Sequence, residues 1–269
     1  MQTNRVMEGA AAQWPDRIWV VRHGQSTGNV ARDYAEANDL NIIALEHRDA
    51  DVPLSLLGLR QSQALAAWVR ELSKDKRPQI ILASPYIRAK QTAQAVVDML
   101  GGDGRMIIDE RLREKEFGIL DRYTRSGFVS AFPQLAEQRR LVGKFYFRPP
   151  GGESWCDVIL RLRGVVGDLQ RNHVGGRVMI VAHQVIVNCM RYLLEQMDEQ
   201  TLLDIDRQGD VPNCGVTEYH VAKDGKLLLI DANFVSPNLP DAVTTVAPGG
   251  SSEVRWEPVH FVAPPPGKA

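Results

Sequence analysis

Three times along this chain a short apolar run breaks off at a polar turn, and this recurrence constrains the fold more than any other feature. The runs are Ile18–Val21, Ile80–Ala83 and Val178–Ala182, and the second and third lead into helical segments beginning near Pro85 and His183. Four or more consecutive apolar residues mark a strand buried on both faces, as in a parallel sheet covered by helices. Steps of three and four then mark amphipathic helices: Leu57, Gln61, Leu65, Trp68 and Leu72; Ala89, Ala93, Val96 and Leu100; and Trp155 through Leu169. Strand-to-helix units of this kind place all their turns at the carboxyl edge of one sheet, where ligands of open α/β folds gather. Near the end, Cys214–Val221 and Lys226–Ile230 flank Lys223-Asp224-Gly225 and read as a hairpin added to the sheet.

The turns carry matching chemistry. After the first strand stand Arg22, His23 and Gly24; after the second, S-P-Y-I-R-A-K-Q-T-A brings Arg88 onto the first turn of a helix; after the third, V-A-H-Q brings His183. Arginine offers a planar fork of donors suited to phosphoryl oxygens, and neutral histidine is available near pH 7 as a nucleophile. Gly24 lets a bulky anion approach the backbone. Two arginines and two histidines near helix N-termini make a site for a tetrahedral dianion that asks for no metal.

Composition excludes several other classes. With 32 basic and 33 acidic residues the formal charge is -1, which gives no global attraction to nucleic acid or an anionic membrane and favours a small-molecule partner. Cys156, Cys189 and Cys214 are odd in number and lack C-x-x-C spacing, against a disulfide framework or a zinc site and consistent with a reducing cytoplasm. No apolar run approaches the ~20 residues that span a bilayer, and residues 1–16 lack a secretory core. Neither a P-loop nor G-x-G-x-x-G follows a strand; Gly101-Gly102-Asp103-Gly104 and Gly175-Gly176 read as caps and turns. Seven of the fifteen prolines fall between Pro237 and Pro266, so residues 237–269 read as a Pro-rich tail laid outside the core.

These motifs resemble the histidine phosphatase superfamily, which includes the cofactor-dependent phosphoglycerate mutases. The R-H-G signature corresponds to Arg22-His23-Gly24, the downstream Asn to Asn29, S-P-x-x-R-x-x-Q-T-A to Ser84–Ala93, L-x-E-x-x-x-G to Leu112–Gly118, G-E-S to Gly152-Glu153-Ser154, and the second histidine to His183. The resemblance implies a three-layer α/β/α sandwich with a mostly parallel mixed sheet and a helical cap insertion. It divides the chain into an N-terminal extension (1–16), the phosphatase domain (17–236, with cap insertions about 30–53 and 121–148) and the tail.

The resemblance also implies a metal-independent phosphoric monoester hydrolase of the histidine acid phosphatase type, with no cofactor. His23 would be the nucleophile that becomes a phosphohistidine. Arg22, Arg88 and His183 would bind the phosphoryl oxygens, Asn29 would help to place the group, and Glu114 rather than Glu116 would be the proton donor; Gln184 stands where the family often has a glycine and is a further candidate for binding the phosphate or substrate. The run F-Y-F-R-P-P-G-G-E-S from Phe145 is most similar to fructose-2,6-bisphosphatases, and Arg148 matches one of their substrate contacts. Two other cations of that branch are replaced here by Gly151 and Asn188. A sugar bisphosphatase is therefore the alternative to a phosphatase of another small phosphorylated metabolite, ahead of a mutase or a non-catalytic phospho-ligand binding module. Arg139-Arg140 reads as a surface pair at a helix end. The long link 30–53 carries Arg32, Tyr34, Glu36, His47 and Arg48 and, with 121–148, forms the candidate specificity cap. No oligomeric state is fixed, and a homodimer is one option.

Overall fold

The computed structural model describes residues 14–236, so the expected Pro-rich tail lies outside the described residues, as does most of the expected N-terminal extension. Within that span the chain runs β1 (Arg17–Arg22), α1 (Thr27–Ala37), α2 (Leu56–Glu71), β2 (Ile80–Ala83), α3 (Ile87–Leu100), β3 (Arg105–Ile108), α4 (Arg125–Ala131), α5 (Pro133–Val142), α6 (Trp155–Asn172), β4 (Arg177–Ala182), α7 (Gln184–Leu194), α8 (Glu199–Gln208), β5 (Val216–Val221) and β6 (Leu227–Phe234). The strands form one sheet in the order β3-β2-β4-β1-β5-β6. β1, β2, β3 and β4 are mutually parallel, β5 runs against β1, and β6 runs against β5, so a single strand opposes the other five.

Alternation along the central strands divides the core in two. Ile18, Val20, Val178, Ile180 and Ala182 face one side, where they pack with Leu162 and Val165 of α6 and Ile186 and Met190 of α7. Trp19, Val21, Met179, Val181 and Ile81 face the other, against Leu65 and Val69 of α2 and Ala93 and Val96 of α3. Both faces are thus covered by helices, which is the α/β/α sandwich, and the continuous apolar runs follow from that double burial. Trp14, within the stretch expected as an extension, packs on the first of these clusters and accepts a hydrogen bond from Gly175 N at 3.1 Å.

The register brings the strand ends together. Arg22 pairs with Ala182, and Ala83 pairs with Val181, so the residues that follow β1, β2 and β4 emerge at one carboxyl edge. The turn after β1 is built against α2. Gln25 N donates to Gln61 Oε1 at 2.8 Å, Gly24 N donates to Thr92 Oγ1 at 3.1 Å, and Ser55 caps α2. A Cβ on Gly24 would lie 2.6 Å from Gly58 O, so this glycine serves backbone packing against α2. That differs from the expected role of admitting a bulky anion.

Gly58 is tighter still, with a Cβ position 1.9 Å from Gln25 O. Gly58→Ala must push the turn after β1 away from α2, at a cost of about 1–3 kcal/mol for an overpacked site. A lowered thermal midpoint together with reduced turnover is the expected result, because Gln25 lies two residues from His23; a lowered midpoint with unaltered turnover would separate this contact from the site.

The two expected cap insertions meet one another. Residues 40–45 run beside 122–127 through an isolated bridge between Ile42 and Tyr123, Ile43 N donates to Arg122 O at 2.7 Å, and Thr124 Oγ1 donates to Leu40 O at 2.7 Å. Gly127 sits so close to Asn41 that a Cβ would lie 1.9 Å from its carbonyl oxygen. Together they stand above the carboxyl edge of the sheet. No helix among the described residues is long and apolar enough to cross a membrane.

Candidate active site

A cavity of about 430 Å³ opens where the ends of β1 and β4 and the start of α3 meet under the two insertions, and Arg22, His23, Asn29, Arg88, Glu114 and Gln184 all line it. His183 lies directly beneath, fully buried, its ring 5.1 Å from that of His23 at an interplanar angle of 66°. Seven of the eight residues singled out from the sequence are therefore brought together. Arg148 is not: it is largely exposed, and its Nε donates to Asp157 Oδ2 at 2.7 Å, away from the cavity. The physical reason is local, since Asp157 is held on the first turn of α6 by its capping box with Ser154 and draws the guanidinium to the outer surface.

His23 is held by its neighbours in one orientation. Its Nδ1 lies 2.6 Å from Gly24 O, and Arg88 Nε donates to its Nε2 at 3.2 Å. A carbonyl can only accept and a guanidinium can only donate, so these partners assign the proton to Nδ1 and leave Nε2 as the unprotonated nitrogen, whose lone pair accepts from Arg88. Burial, reinforced by the adjacent Arg88 and Arg22 cations, holds this imidazole well below its usual pKa, so it is neutral at pH 7. His183 is depressed in the same way, first by burial and then by Arg88, and its Nε2 lies 2.7 Å from Ser84 Oγ.

The two arginines are cations in a poorly hydrated place. Arg22 is 2% exposed, donates through Nη1 to Val211 O, and leaves its Nε without a protein partner. Burial pushes its pKa down to about 10, which keeps it charged at neutral pH. Arg88 stacks over the Tyr86 ring at 5.0 Å and binds Asp49 through both terminal nitrogens. Asn29 Oδ1 accepts from Ser26 N at 2.9 Å in the capping box of α1, so what Asn29 can offer a ligand is its side-chain N–H. Gln184 Nε2 donates to Asp210 Oδ1 at 2.6 Å.

The segment after β3 sets two carboxylates apart. Glu114 lines the cavity, and burial pushes its carboxyl above the usual range despite a bond from Lys115 N at 2.8 Å. Glu116, 47% exposed, lies outside the cavity and accepts from Tyr86 Oη at 3.2 Å. The segment is braced from the start of α6. Glu153 accepts from Glu116 N at 3.1 Å and pairs with Arg113 and Arg161, while Arg161 donates to Glu114 O at 3.2 Å. The G-E-S motif thus supports the acid-bearing loop.

Sequence reasoning missed part of the cavity wall. Asp49, Lys115 and Lys144 line it, as does Arg139, which was expected at the surface. Arg139 instead turns inward over the Phe128 ring at 5.9 Å, and only Arg140 points outward, paired with Glu137. Lys115 is 8% exposed and burial pushes its pKa down to about 8. Its place directly after Glu114 was the one available signal. Lys144 binds Asp206 and lies 5.2 Å over the Trp155 ring. Among the described residues, no group of three or more His, Cys, Asp or Glu side chains is placed to hold a metal ion.

The sequence model of the histidine phosphatase superfamily (branch 1) matches residues 18–230, a span that contains every residue of this site. The chain belongs to the histidine phosphatase superfamily. Among curated relatives, a Caenorhabditis elegans protein named 6-phosphofructo-2-kinase/fructose-2,6-bisphosphatase is 30% identical over 177 residues, covering 65% of this chain and 33% of that protein. A Hydrogenobacter thermophilus protein described as a phosphoserine phosphatase is 31% identical over 210 residues, 76% of this chain and 89% of its own. The chain spans about a third of the length of the fructose-2,6-bisphosphatase relatives it matches. A solved mycobacterial glucosyl-3-phosphoglycerate phosphatase in complex with VO3 is similar with a TM-score of 0.63 at 24% identity, covering 80% of this chain and 98% of that one, which establishes the shared fold of this superfamily member.

Proposed function

We propose that this histidine phosphatase superfamily member is a phosphomonoesterase that hydrolyses a small phosphorylated metabolite through a phosphohistidine on His23. The observation that carries the reading is the neutral, buried His23 lining the cavity beside Arg22 and Arg88, with its proton on Nδ1 and its unprotonated Nε2 accepting from Arg88 Nε, a donor that a phosphoryl oxygen can take over as Nε2 meets phosphorus. The Nε2 lone pair attacks phosphorus, the ester P–O bond breaks, and the Glu114 proton goes to the leaving alkoxide. Water then attacks phosphorus, the P–N bond breaks, and Glu114 takes the water proton as inorganic phosphate departs. The Arg22, Arg88 and His183 groups hold the equatorial oxygens, a preorganised positive environment that acts on charge as it redistributes. Splitting one displacement into two is the gain of covalent catalysis.

A second group of cations narrows the substrate class. Lys115, Arg139 and Lys144 also line the cavity, near enough for Lys115 to feel the other two charges, beside Phe117, Phe147 and Trp155. This combination supports a metabolite with a second anionic group on a compact carbon skeleton, since charge-assisted bonds to phosphate or carboxylate are the strong ones. A sugar bisphosphate and a phosphorylated carboxylic acid both meet that description, and the sugar bisphosphatase reading stays as the second one on this ground. Lys115→Met is expected to raise KM for such a substrate about tenfold while leaving p-nitrophenyl phosphate within about twofold, because one charge-assisted contact is worth ~1.5–3 kcal/mol. Equal losses on both would move Lys115 from substrate recognition to support of Glu114.

The proposal is tested by hydrolysis of a panel of phosphate esters, with and without a second anion, ranked by kcat/KM in the presence of chelator. Activity that chelator abolishes would contradict the metal-free route. Binding of phosphate esters without turnover would instead favour the phospho-ligand binding module.

A further inference from the structure

Asp49 lies in the 30–53 insertion, on a single 3-10 turn of residues 49–51, with its side chain about a third exposed. Its carboxylate meets the Arg88 guanidinium end-on, Nη1 to Oδ1 at 3.0 Å and Nη2 to Oδ2 at 3.1 Å, and Nη1 also donates to the Asp49 backbone oxygen at 2.5 Å. A guanidinium has two edges suited to a bidentate oxyanion: the terminal Nη1–Nη2 edge and the lateral Nε–Nη edge. Asp49 occupies the terminal edge. The Nε of Arg88 is turned to His23 Nε2, and the plane of the group is backed by the Tyr86 ring. Rotation of the fork is therefore fixed from three sides.

We propose that Asp49 is a positioning residue for phosphoryl transfer, whose carboxylate clamps the terminal edge of Arg88 and so aims its lateral edge at the place where phosphorus meets His23 Nε2. The proposal rests on the phosphomonoesterase reading above and deepens it by tying the substrate-facing insertion to the phosphate centre. A carboxylate so near an anion site could instead compete with phosphate for Arg88. The edge it occupies argues otherwise, because Nε makes no bond to Asp49 and Nη2, which gives one N–H to the carboxylate, keeps its second for the lateral edge. Held in place, the fork loses no orientational freedom when the phosphoryl group arrives, which is where alignment raises the rate.

The test compares wild type with Asp49→Ala, Asp49→Asn, Arg88→Ala and the double variant Asp49→Ala/Arg88→Ala, reading kcat/KM on p-nitrophenyl phosphate and calorimetric binding of orthovanadate. Asp49→Ala is expected to lower kcat/KM by about 10–100-fold and to weaken orthovanadate binding about tenfold, the scale of a misaligned catalytic group. Asp49→Asn, of the same shape without the charge, should fall between. In the Arg88→Ala background Asp49→Ala should change either quantity by no more than about twofold, since residues that act through one another are not additive. Additive losses, or unchanged kcat/KM in Asp49→Ala, would overturn the proposal. Tighter orthovanadate binding in Asp49→Ala would overturn it in favour of a competing counterion. Absence of turnover by the wild type would sink the phosphatase reading alone, because orthovanadate binding reports the Arg88 orientation without turnover; absence of orthovanadate binding by the wild type would overturn both.

Discussion

Replacing His23 with alanine is expected to lower turnover of any phosphate ester by on the order of 10⁴-fold or more, because removing a nucleophile from residues that act as a unit costs nearly all of their joint effect. No neighbour can take its place. His183 has its Nε2 on Ser84 Oγ, so what it offers a phosphoryl oxygen is the N–H of its otherwise unpartnered Nδ1, a donor and not a nucleophile, and Lys115, whose pKa burial lowers to about 8, is mostly a protonated cation at pH 7. Steady-state assays of wild type and His23→Ala with p-nitrophenyl phosphate check this, with circular dichroism to confirm that the variant is folded. Residual activity within about tenfold of wild type would assign the nucleophile elsewhere.

Glu114→Gln has the second largest expected effect and a more selective one. General acid help is typically worth ~10²–10⁴-fold, so turnover of an alkyl phosphate should fall by that range, whereas p-nitrophenyl phosphate, whose leaving group needs little protonation, should fall far less. The pH dependence of kcat carries the same signature. The acid acts in its protonated form, and burial raises the Glu114 pKa, so kcat for the alkyl ester should be level below that pKa and decline as pH rises through it. His23 acts unprotonated and its pKa is depressed, so its own limb lies on the acid side, well below the usual imidazole range. Glu114→Gln should remove the alkaline limb. A limb that survives, or equal slowing of both esters, would move the acid role to another group.

The sheet and the catalytic edge were legible because double burial imposes its own pattern. Ile18–Val21 and Val178–Ala182 are apolar throughout since helices cover both sides, and α2, α3 and α6 show their periodicity because each buries only one face. The polar residues after these strands fall at one edge by the order of strands and helices alone. β3 escaped notice because Arg105–Ile108 is an edge strand with only three apolar residues and little burial. The short cap helices α4 and α5 bury few side chains and show no clear stripe.

The cavity wall was legible where motif and backbone coincide and opaque where it depends on how the insertions fold back. Asp49 reaches Arg88, and Arg139 and Lys144 turn inward, only because residues 40–45 and 122–127 lie side by side over the sheet edge. Arg148 shows the converse. Its match to a family contact placed it at the substrate, yet Asp157, fixed by a helix cap nine residues on, captures it first. Gly24 was expected to admit an anion, whereas the group packed against it is the backbone of α2.

The most direct test of the account is to trap the covalent intermediate. Wild-type protein mixed with p-nitrophenyl phosphate and quenched within one turnover is expected to release a burst of p-nitrophenol and to carry the mass increment of one phosphoryl group. Fragmentation should place that group on the peptide containing His23, acid-labile as a phosphoramidate is, and absent from His23→Ala. Turnover without any phosphorylated protein, or a phosphoryl group on another residue, would contradict the account.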